Sequence, residues 1–379
     1  MTNRDTFPLV IVGAGASGLA AAVCAGKSAL VLERNPRAGK KILATGNGRC
    51  NLGNTRALEH PYHNRAFALP ALRRFDVQGF FRSLGLLTRA DAEGRLYPRS
   101  NTAASVLDAL RFGAARAGAQ VLCDTPALSI AAARGGFAVE TPGGVLLARR
   151  VIIAAGGCVA PGGDGSGFAL LRGLGHAIVE PRPALVQIVC QSPLLPMLKG
   201  LRCFAGVRIE DPGGRELAAA EGEILFAQDG LSGIAAMEVS RCAQPGTLAV
   251  LDLAPEYKQL RPLLEELSRA CPEQSPSGLL AGLLPRRIGE AVLKQAAGGD
   301  LAAALKRFVF PVTGVRGFAH AQVTAGGAVV SEFHPETLES RLAPGLYACG
   351  EALDVDGGCG GFNLQWAWAS GALAGALAA

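Results

Sequence analysis

Apolar positions follow two rhythms along this chain. Leu9-Val-Ile-Val12 is a continuous apolar run of strand length, broken by Gly13-Ala-Gly15-Ala-Ser-Gly18 and followed by small residues over a helical length. Ala29-Leu-Val-Leu32 repeats the strand pattern and stops at an acid, Glu33. Between 70 and 120 the apolar residues move to helical spacing, with Phe75, Phe80, Phe81 and Leu84 on one face. A second helix is predicted from Asn101 to Phe112, with Arg95–Ser100 as the turn between. Strands are predicted at Gln120–Cys123 and Gly136–Glu140, with Gly143–Ala148 as a hairpin partner, then a buried parallel strand at Arg150–Gly157 ending in a glycine turn.

From about 186 to 253 the pattern becomes short strands with turns, at Val186–Val189, Gly206–Glu210, Glu223–Phe226 and Thr247–Leu253. Pro255–Phe308 is helical again. The style of the first third returns with a turn and strand at Thr324–Val330, a buried strand from Gly345 into Gly350-Glu351, and a last helix entered through Gly357-Gly-Cys-Gly-Gly-Phe-Asn363. These rhythms predict an α/β protein in which a Rossmann-like domain formed by 1–185 and 316–379 is interrupted by a β-barrel-like and helical insertion over 186–315.

Composition narrows this picture modestly. The 379 residues are 49% hydrophobic and 18% charged, enough for a large core and more than one unit. The net charge of +6 has no long basic tract behind it, so no nucleic-acid partner is expected. None of the ten cysteines is spaced Cys-x-x-Cys, which suits a reduced, cytoplasmic protein. Phe7–Gly26 and Gly357–Ala379 carry no charge, but glycine turns interrupt both, so they read as buried helices and no membrane partner is expected.

Gly13, Gly15 and Gly18 have the G-x-G-x-x-G spacing that permits a tight strand-to-helix turn, close approach of backbone to a pyrophosphate, and close helix–strand packing. Glu33 lies 20 residues after Gly13, where a carboxylate accepts from ribose hydroxyls and disfavours a 2′-phosphate. Arg34–Asn51 reads as a loop carrying Arg37, Lys40, Lys41 and Arg49 among glycines, chemistry suited to phosphate oxygens. A plain NAD dehydrogenase needs only the first turn. An extended FAD also needs a cradle for its ring, and the turn at Ala154–Gly157 and the Gly350-Glu351 strand feeding a helix N-terminus supply one.

At this point the chain resembles the BaiN-like flavoproteins, the NAD(P)/FAD-dependent oxidoreductase group that includes the aminoacetone oxidase and HI-type flavoproteins. The resemblance rests on Gly39–Asn51, Gly94–Ser100, Gly222–Gly233, Val323–Gly327, Glu339–Tyr347 and the long stretch Gly350–Trp368, in family order over the whole chain. Ala155 departs from the family's usual Ala-Thr-Gly-Gly turn. The resemblance implies a bound FAD and reduction of an activated C=C bond of a small substrate, such as a conjugated enone of 3-oxo bile-acid type, with NAD(P)H as donor.

With FAD in place, Gly13, Gly15, Ala16, Ser17 and Gly18 are expected at the pyrophosphate and Glu33 at the adenosine ribose. Arg34, Lys41, Gly48, Arg49, Cys50 and Asn51 are expected along the phosphates and ribityl chain, with Ala155 and Gly156 in the mid-chain turn. Gly350, Glu351 and Asp354 would flank the ribityl side, and Asn363, Leu364 and Gln365 would turn backbone N–H groups to the flavin pyrimidine edge. The five histidines are scattered and no catalytic acid stands out; no metal site is expected. There is no second G-x-G-x-x-G for a pyridine nucleotide, so the donor docks transiently or is another molecule. A non-catalytic FAD-bearing sensor and a flavin-dependent RNA-modifying enzyme are the competing readings.

Overall fold

A computed structural model describes residues 6–159 and 161–379. The chain divides into two compact units, Met1–Arg182 with Val323–Ala379, and Pro183–Gln322.

In the first unit, β1 (Phe7–Val12) leads through the glycine turn into α1 (Ala16–Ala25) and β2 (Ala29–Leu32). The stretch expected as loop contains α2 (Lys40–Ala44), entered through Gly39 at φ +74°. Then come β3 (Gly53–Asn54), α3 (Arg65–Arg73), α4 (Val77–Ser83), β4 (Thr88–Ala90), β5 (Arg95–Pro98) and α5 (Ala103–Ala117). Here the sequence reading is corrected: Arg95–Pro98 is the middle strand of an antiparallel sheet, not a turn, pairing with β3 on one side and β4 on the other. β6 (Gln120–Leu122), β7 (Ser129–Ala133), β8 (Gly136–Thr141) and β9 (Gly144–Ile153) follow. The hairpin partner and the parallel strand expected separately are one strand: β9 pairs antiparallel with β8 at its start and parallel with β1 at its end. Next are α6 (Ser166–Gly173) and β10 (Ile178–Ala184).

The second unit holds β11 (Ile188–Cys190), α7 (Leu195–Leu198), β12 (Arg202–Glu210), β13 (Glu216–Ala227), β14 (Gly230–Ser232), α8 (Ile234–Val239) and β15 (Leu248–Asp252). It continues with α9 (Leu260–Ala270), α10 (Pro276–Leu280), α11 (Arg286–Ala296), α12 (Leu301–Lys306) and β16 (Phe308–Val315). Its six strands close a barrel in the order β11-β14-β13-β12-β15-β16, removing exposed edges. Phe226, Phe308, Phe310, Ile224, Val207 and Leu251 are fully buried in this unit's core, as are Ile288 and Val292 of α11. Glu210 is buried against Arg307 and Arg208, which hold its carboxyl down at about 2.

The chain returns to the first unit with β17 (Val323–Ala328), which pairs with β10, then β18 (Leu346–Ala348) and α13 (Phe362–Ala378). Strands β6, β2, β1, β9 and β18 form a parallel core in that order. Its switch point lies between β1 and β9, because the chain runs from β1 outward to β2 and later re-enters on the other side. Ligands of open α/β sheets lie outside the carboxyl ends of the strands at such a point. The charge-free helices α1 and α13 owe their burial to each other. A Cβ added at Gly371 would lie 2.1 Å from Ser17 O and one at Gly375 2.3 Å from Ala21 O, so only glycine allows backbones this close. Among the described residues, no helix is long and apolar enough to cross a membrane.

Candidate functional site

The glycine turn sits at the carboxyl end of β1, and its three glycines do three different things. Gly13 has φ +103°, and a Cβ there would lie 2.5 Å from Ala154 O, so the mid-chain turn is pressed against it. A Cβ at Gly18 would lie 1.8 Å from Gly13 O, which fixes how α1 leaves the strand. Gly15 has nothing within 4 Å of its Cβ position. It borders open space at the N-terminus of α1, where unsatisfied N–H groups and the positive end of the helix dipole favour an anion. Ala16 and Ser17 form the first turn of that helix. The Ser17 hydroxyl faces Gly350 instead, 2.8 Å from the Cβ that glycine lacks, and so joins the two ends of the chain.

Glu33 is buried at the end of β2, with both carboxylate oxygens engaged. Oε2 accepts from Ala14 N–H (2.9 Å), and Oε1 from Asn35 N–H (2.8 Å) and Asn35 Nδ2 (2.6 Å). Oε1 is fully used by Asn35, but Oε2 keeps a second lone pair, so these bonds orient the group without exhausting it. Replacing Glu33 with Ala is expected to strand the Ala14 N–H and cost about 1–3 kcal/mol of stability. It should also lower bound-nucleotide content; thermal melts and the ligand content of purified protein measure both. Arg34 is committed to Asp164 and the Gly162 carbonyl.

At the carboxyl end of β18, Glu351 gathers residues from three other parts of the chain. Oε2 pairs with Lys41 Nζ at 2.5 Å and lies 3.9 Å from the Cβ position of Gly156, while Oε1 accepts from Thr324 N–H at 3.1 Å. Ala155 lies beside Gly156 in the same turn, where a Cβ at Gly167 would come within 2.9 Å of its methyl group. The loop after α2 turns left-handed at Gly46, Asn47 and Gly48, and Cys50 is also left-handed at φ +57°. Cys50 is fully buried and its thiol is pushed up to about 11, so it packs rather than reacts. Arg49 stands over the Tyr97 ring, 5.2 Å from its centroid. Asn51, with its amide oriented by its neighbours, donates to Gly53 O (3.0 Å) and Leu96 O (3.2 Å) and accepts from Gly361 N–H (3.1 Å).

The C-terminal glycine loop is held from several sides. Asn363 Oδ1 accepts from Gly357 N–H at 2.8 Å, and its Nδ2 donates to Gly357 O (2.8 Å) and Gly358 O (3.2 Å). Gly350 N–H donates to Ser370 Oγ (3.0 Å) and Gly350 O accepts from Trp366 Nε1 (3.1 Å). Leu364 lies partly buried in the first turn of α13. The backbone N–H of Gln365 donates to Gly361 O (3.0 Å) within the first turn of α13 and is not turned outward as expected, while its Oε1 accepts from Asn54 N–H (2.8 Å) and fastens β3.

Sequence reasoning missed the segment His60–Asn64. His60 Nε2 accepts from Gly358 N–H at 2.9 Å, and its ring stacks on Phe362 at 3.7 Å. Tyr62 donates to Phe362 O at 3.1 Å. His63 Nε2 is 3.1 Å from Asp354 Oδ2, and Asn64 Nδ2 donates to Asp354 O (2.6 Å) and Oδ2 (3.2 Å). Four hydrogen-bonding side chains within five residues, His60-Pro-Tyr-His-Asn64, were the available signal. Asp354 is 4% exposed, and its second oxygen, Oδ1, has no partner. A buried, unpaired carboxylate oxygen is costly unless a ligand donates to it. The open face at Gly15 and this oxygen are the two features that fit a bound dinucleotide.

A second constellation has a hydrolase-like connectivity: Ser340 Oγ to His176 Nε2 at 2.9 Å, and His176 Nδ1 to Glu332 at 2.8 Å. Ser340 and His176 are both 3% exposed, and Ser340 Oγ also accepts from Leu342 and Ala343 N–H groups. That hydroxyl closes a turn and is no nucleophile. Among the described residues, no group of His, Cys, Asp and Glu could hold a metal.

The model of the HI0933-like protein Rossmann domain matches residues 7–377. The 3-dehydro-bile acid delta(4,6)-reductase of Clostridium scindens is 38% identical over 403 residues, covering 97% of this chain and 98% of that protein. The ribosomal RNA dihydrouridine synthase of Escherichia coli is 32% identical, covering 97% of this chain and 96% of that protein. Among solved structures, the 3-ketosteroid delta1-dehydrogenase of Sterolibacterium denitrificans superposes with a TM-score of 0.52 at 13% identity, covering 98% of each chain, and shares the fold. The chain therefore belongs to the HI0933-like Rossmann family, the BaiN-like flavoprotein oxidoreductases that its terminal glycine motifs already resemble.

Proposed function

We propose that this chain binds FAD across the switch point and reduces a ring C=C bond conjugated to a carbonyl of a small molecule, with NAD(P)H as electron donor. The observation that carries the reading is the pairing of the open face at Gly15 with the unpartnered Asp354 Oδ1 on the same unit. One suits a pyrophosphate and the other a ligand hydroxyl. Gly13–Gly18 and Glu33 would hold the adenosine half, and Lys41, Glu351 and Asp354 the ribityl side. Bound FAD supplies the two-electron chemistry of hydride transfer.

The protein's own part is electrostatic. The N-terminus of α13, at Phe362 to Leu364, directs a positive dipole end into the glycine loop, and Lys41 adds a cation beside Glu351. The dipole end favours a ligand that gains negative charge, while the Lys41 charge is balanced by its pairing with Glu351. The two curated relatives support the reaction class. A bile-acid delta(4,6)-reductase and a dihydrouridine synthase are each named for saturating a ring C=C.

The RNA reading has its own support, the name of the Escherichia coli relative. The positive charge is uneven along the chain. Pro183–Gln322 carries fourteen Lys/Arg against fourteen Asp/Glu, whereas residues 34–111 carry fourteen against five. The neutral second unit favours a small neutral substrate there, and an RNA strand would have to use the first unit.

Anaerobic mixing decides among these. NADH or NADPH is expected to bleach the flavin absorbance, and a 3-oxo-Δ4 steroid to restore it. Restoration by a uridine-containing ribosomal RNA fragment and not by enones would favour the RNA reading. Purified protein without flavin would defeat both.

A further inference from the structure

His60, one of the five scattered histidines, is tied to the loop that feeds α13. Its Nε2 accepts the Gly358 N–H, which fixes the tautomer, because a backbone N–H can only donate: the proton must sit on Nδ1. One face of the ring is covered by Phe362 at 3.7 Å and 7° between planes, and the Tyr62 ring meets it edge-on at 5.0 Å. Phe362 is also the first residue of α13, and Tyr62 holds its carbonyl. Of the loop's N–H groups, Gly357 is satisfied by Asn363, close by in the chain, and Gly361 by Asn51, which like His60 lies about 300 residues earlier. Gly358 depends on an imidazole 298 residues away in sequence.

We propose that His60 is a positioning residue of the flavin site: its neutral imidazole, by accepting from Gly358 and stacking on Phe362, sets the Gly357–Gly361 loop and the N-terminus of α13 against the ring-binding side. The inference rests on the FAD reading above. Its chemistry is one-directional. A protonated His60 would point an N–H at the Gly358 N–H, leaving that donor without an acceptor and placing a cation against it. Burial lowers the His60 pKa to about 4, so the ring stays neutral above that pH. The groups packed on the ring are the uncharged Phe362 and Tyr62. The titratable neighbours are Glu59 and His63 on its own segment, Cys359 next to Gly358, and Asp354 and Asp356, which bond to His63.

Two variants separate positioning from packing. His60→Phe keeps a stacking ring and removes the acceptor; His60→Gln keeps an acceptor and cannot be protonated. FAD dissociation constants are measured by fluorescence quenching on flavin-stripped protein between pH 4 and 8, with the visible spectrum of the bound flavin recorded alongside. At pH 7.5, His60→Phe is expected to bind FAD about tenfold more weakly with a shifted flavin band, the loss of one hydrogen bond in a site that needs it. His60→Gln should bind within a few-fold of the unsubstituted protein. The unsubstituted protein should lose affinity as the pH falls toward 4, and His60→Gln should lose less. Equal affinity and spectra for His60→Phe, or an unchanged acid profile in His60→Gln, overturn the proposal. If His60→Phe fails to fold, the acid profile of His60→Gln decides alone. Failure of the unsubstituted protein to bind FAD at all would refute the FAD reading instead, and so stays distinguishable.

Discussion

Gly18→Ala is expected to abolish flavin retention and to lower the stability of the first unit by about 2–4 kcal/mol. The new methyl carbon would sit 1.8 Å from Gly13 O, 2.9 Å from Gly13 C and 3.3 Å from the Ala154 methyl. Two of these are backbone atoms, so no rotamer change relieves the contact. Either α1 shifts outward or the turn after β1 opens. An outward shift of α1 would loosen its seat on α13, where Ser17 O and Ala21 O face the missing side chains of Gly371 and Gly375. An opened turn would displace Gly13 from Ala154 and deform the pyrophosphate cradle. Both routes strike the cofactor site. Denaturant unfolding followed by circular dichroism, with the flavin-to-protein absorbance ratio of the purified variant, checks the expectation. A variant that keeps full flavin content would show that the glycine spacing is only a packing device. Gly15→Ala is the control, since nothing lies within 4 Å of its Cβ position, and it should fold normally while binding flavin more weakly.

The difference between these two glycines shows what a sequence can and cannot state. Spacing alone marks Gly13, Gly15 and Gly18 as a set, because each role is local to one strand, one turn and one helix. The place of Glu33 at the end of β2, beside the glycine turn, is legible for the same reason, being a fixed offset along one βαβ unit. The continuity of β9 was hidden because Arg149 and Arg150 look like a break between apolar runs. In the fold Arg150 reaches the carbonyls of Ala378 and Ala379 at 3.1 and 2.8 Å, so its charge caps the last helix without interrupting the strand. Arg95–Pro98 looked like a turn because it carries a proline, yet that proline closes a short strand where its missing N–H is tolerated. His60, Tyr62, His63 and Asn64 could not be placed by periodicity. Their partners, Gly358, Phe362 and Asp354, lie about 300 residues further on, and only the closure of α13 against α1 brings them together.

Asp354 shows how such a distant assembly carries a functional cost. Its Oδ2 is shared by His63 and Asn64, while Oδ1 is buried without a partner. In the ligand-free protein that oxygen is a liability, since a desolvated acceptor left unpaired costs about 1–3 kcal/mol. Asp354→Asn keeps the shape. Its amide oxygen can take the place of Oδ2, and its NH2 group then occupies the place of Oδ1. The flavin-free variant is therefore expected to melt at the same temperature or higher, because a buried charge has gone. Binding should move the opposite way. A charge-assisted acceptor for a ligand hydroxyl becomes a neutral donor, and FAD affinity should fall about tenfold or more. The two effects together shrink the FAD-induced rise in melting temperature, which is the quantity to measure on paired flavin-free and flavin-saturated samples. A purely structural Asp354 would give the reverse result: lower stability in both samples and an unchanged increment on adding FAD. Opposite shifts in stability and affinity, from one substituted atom, are what mark a residue placed for its ligand and held there at the expense of the fold.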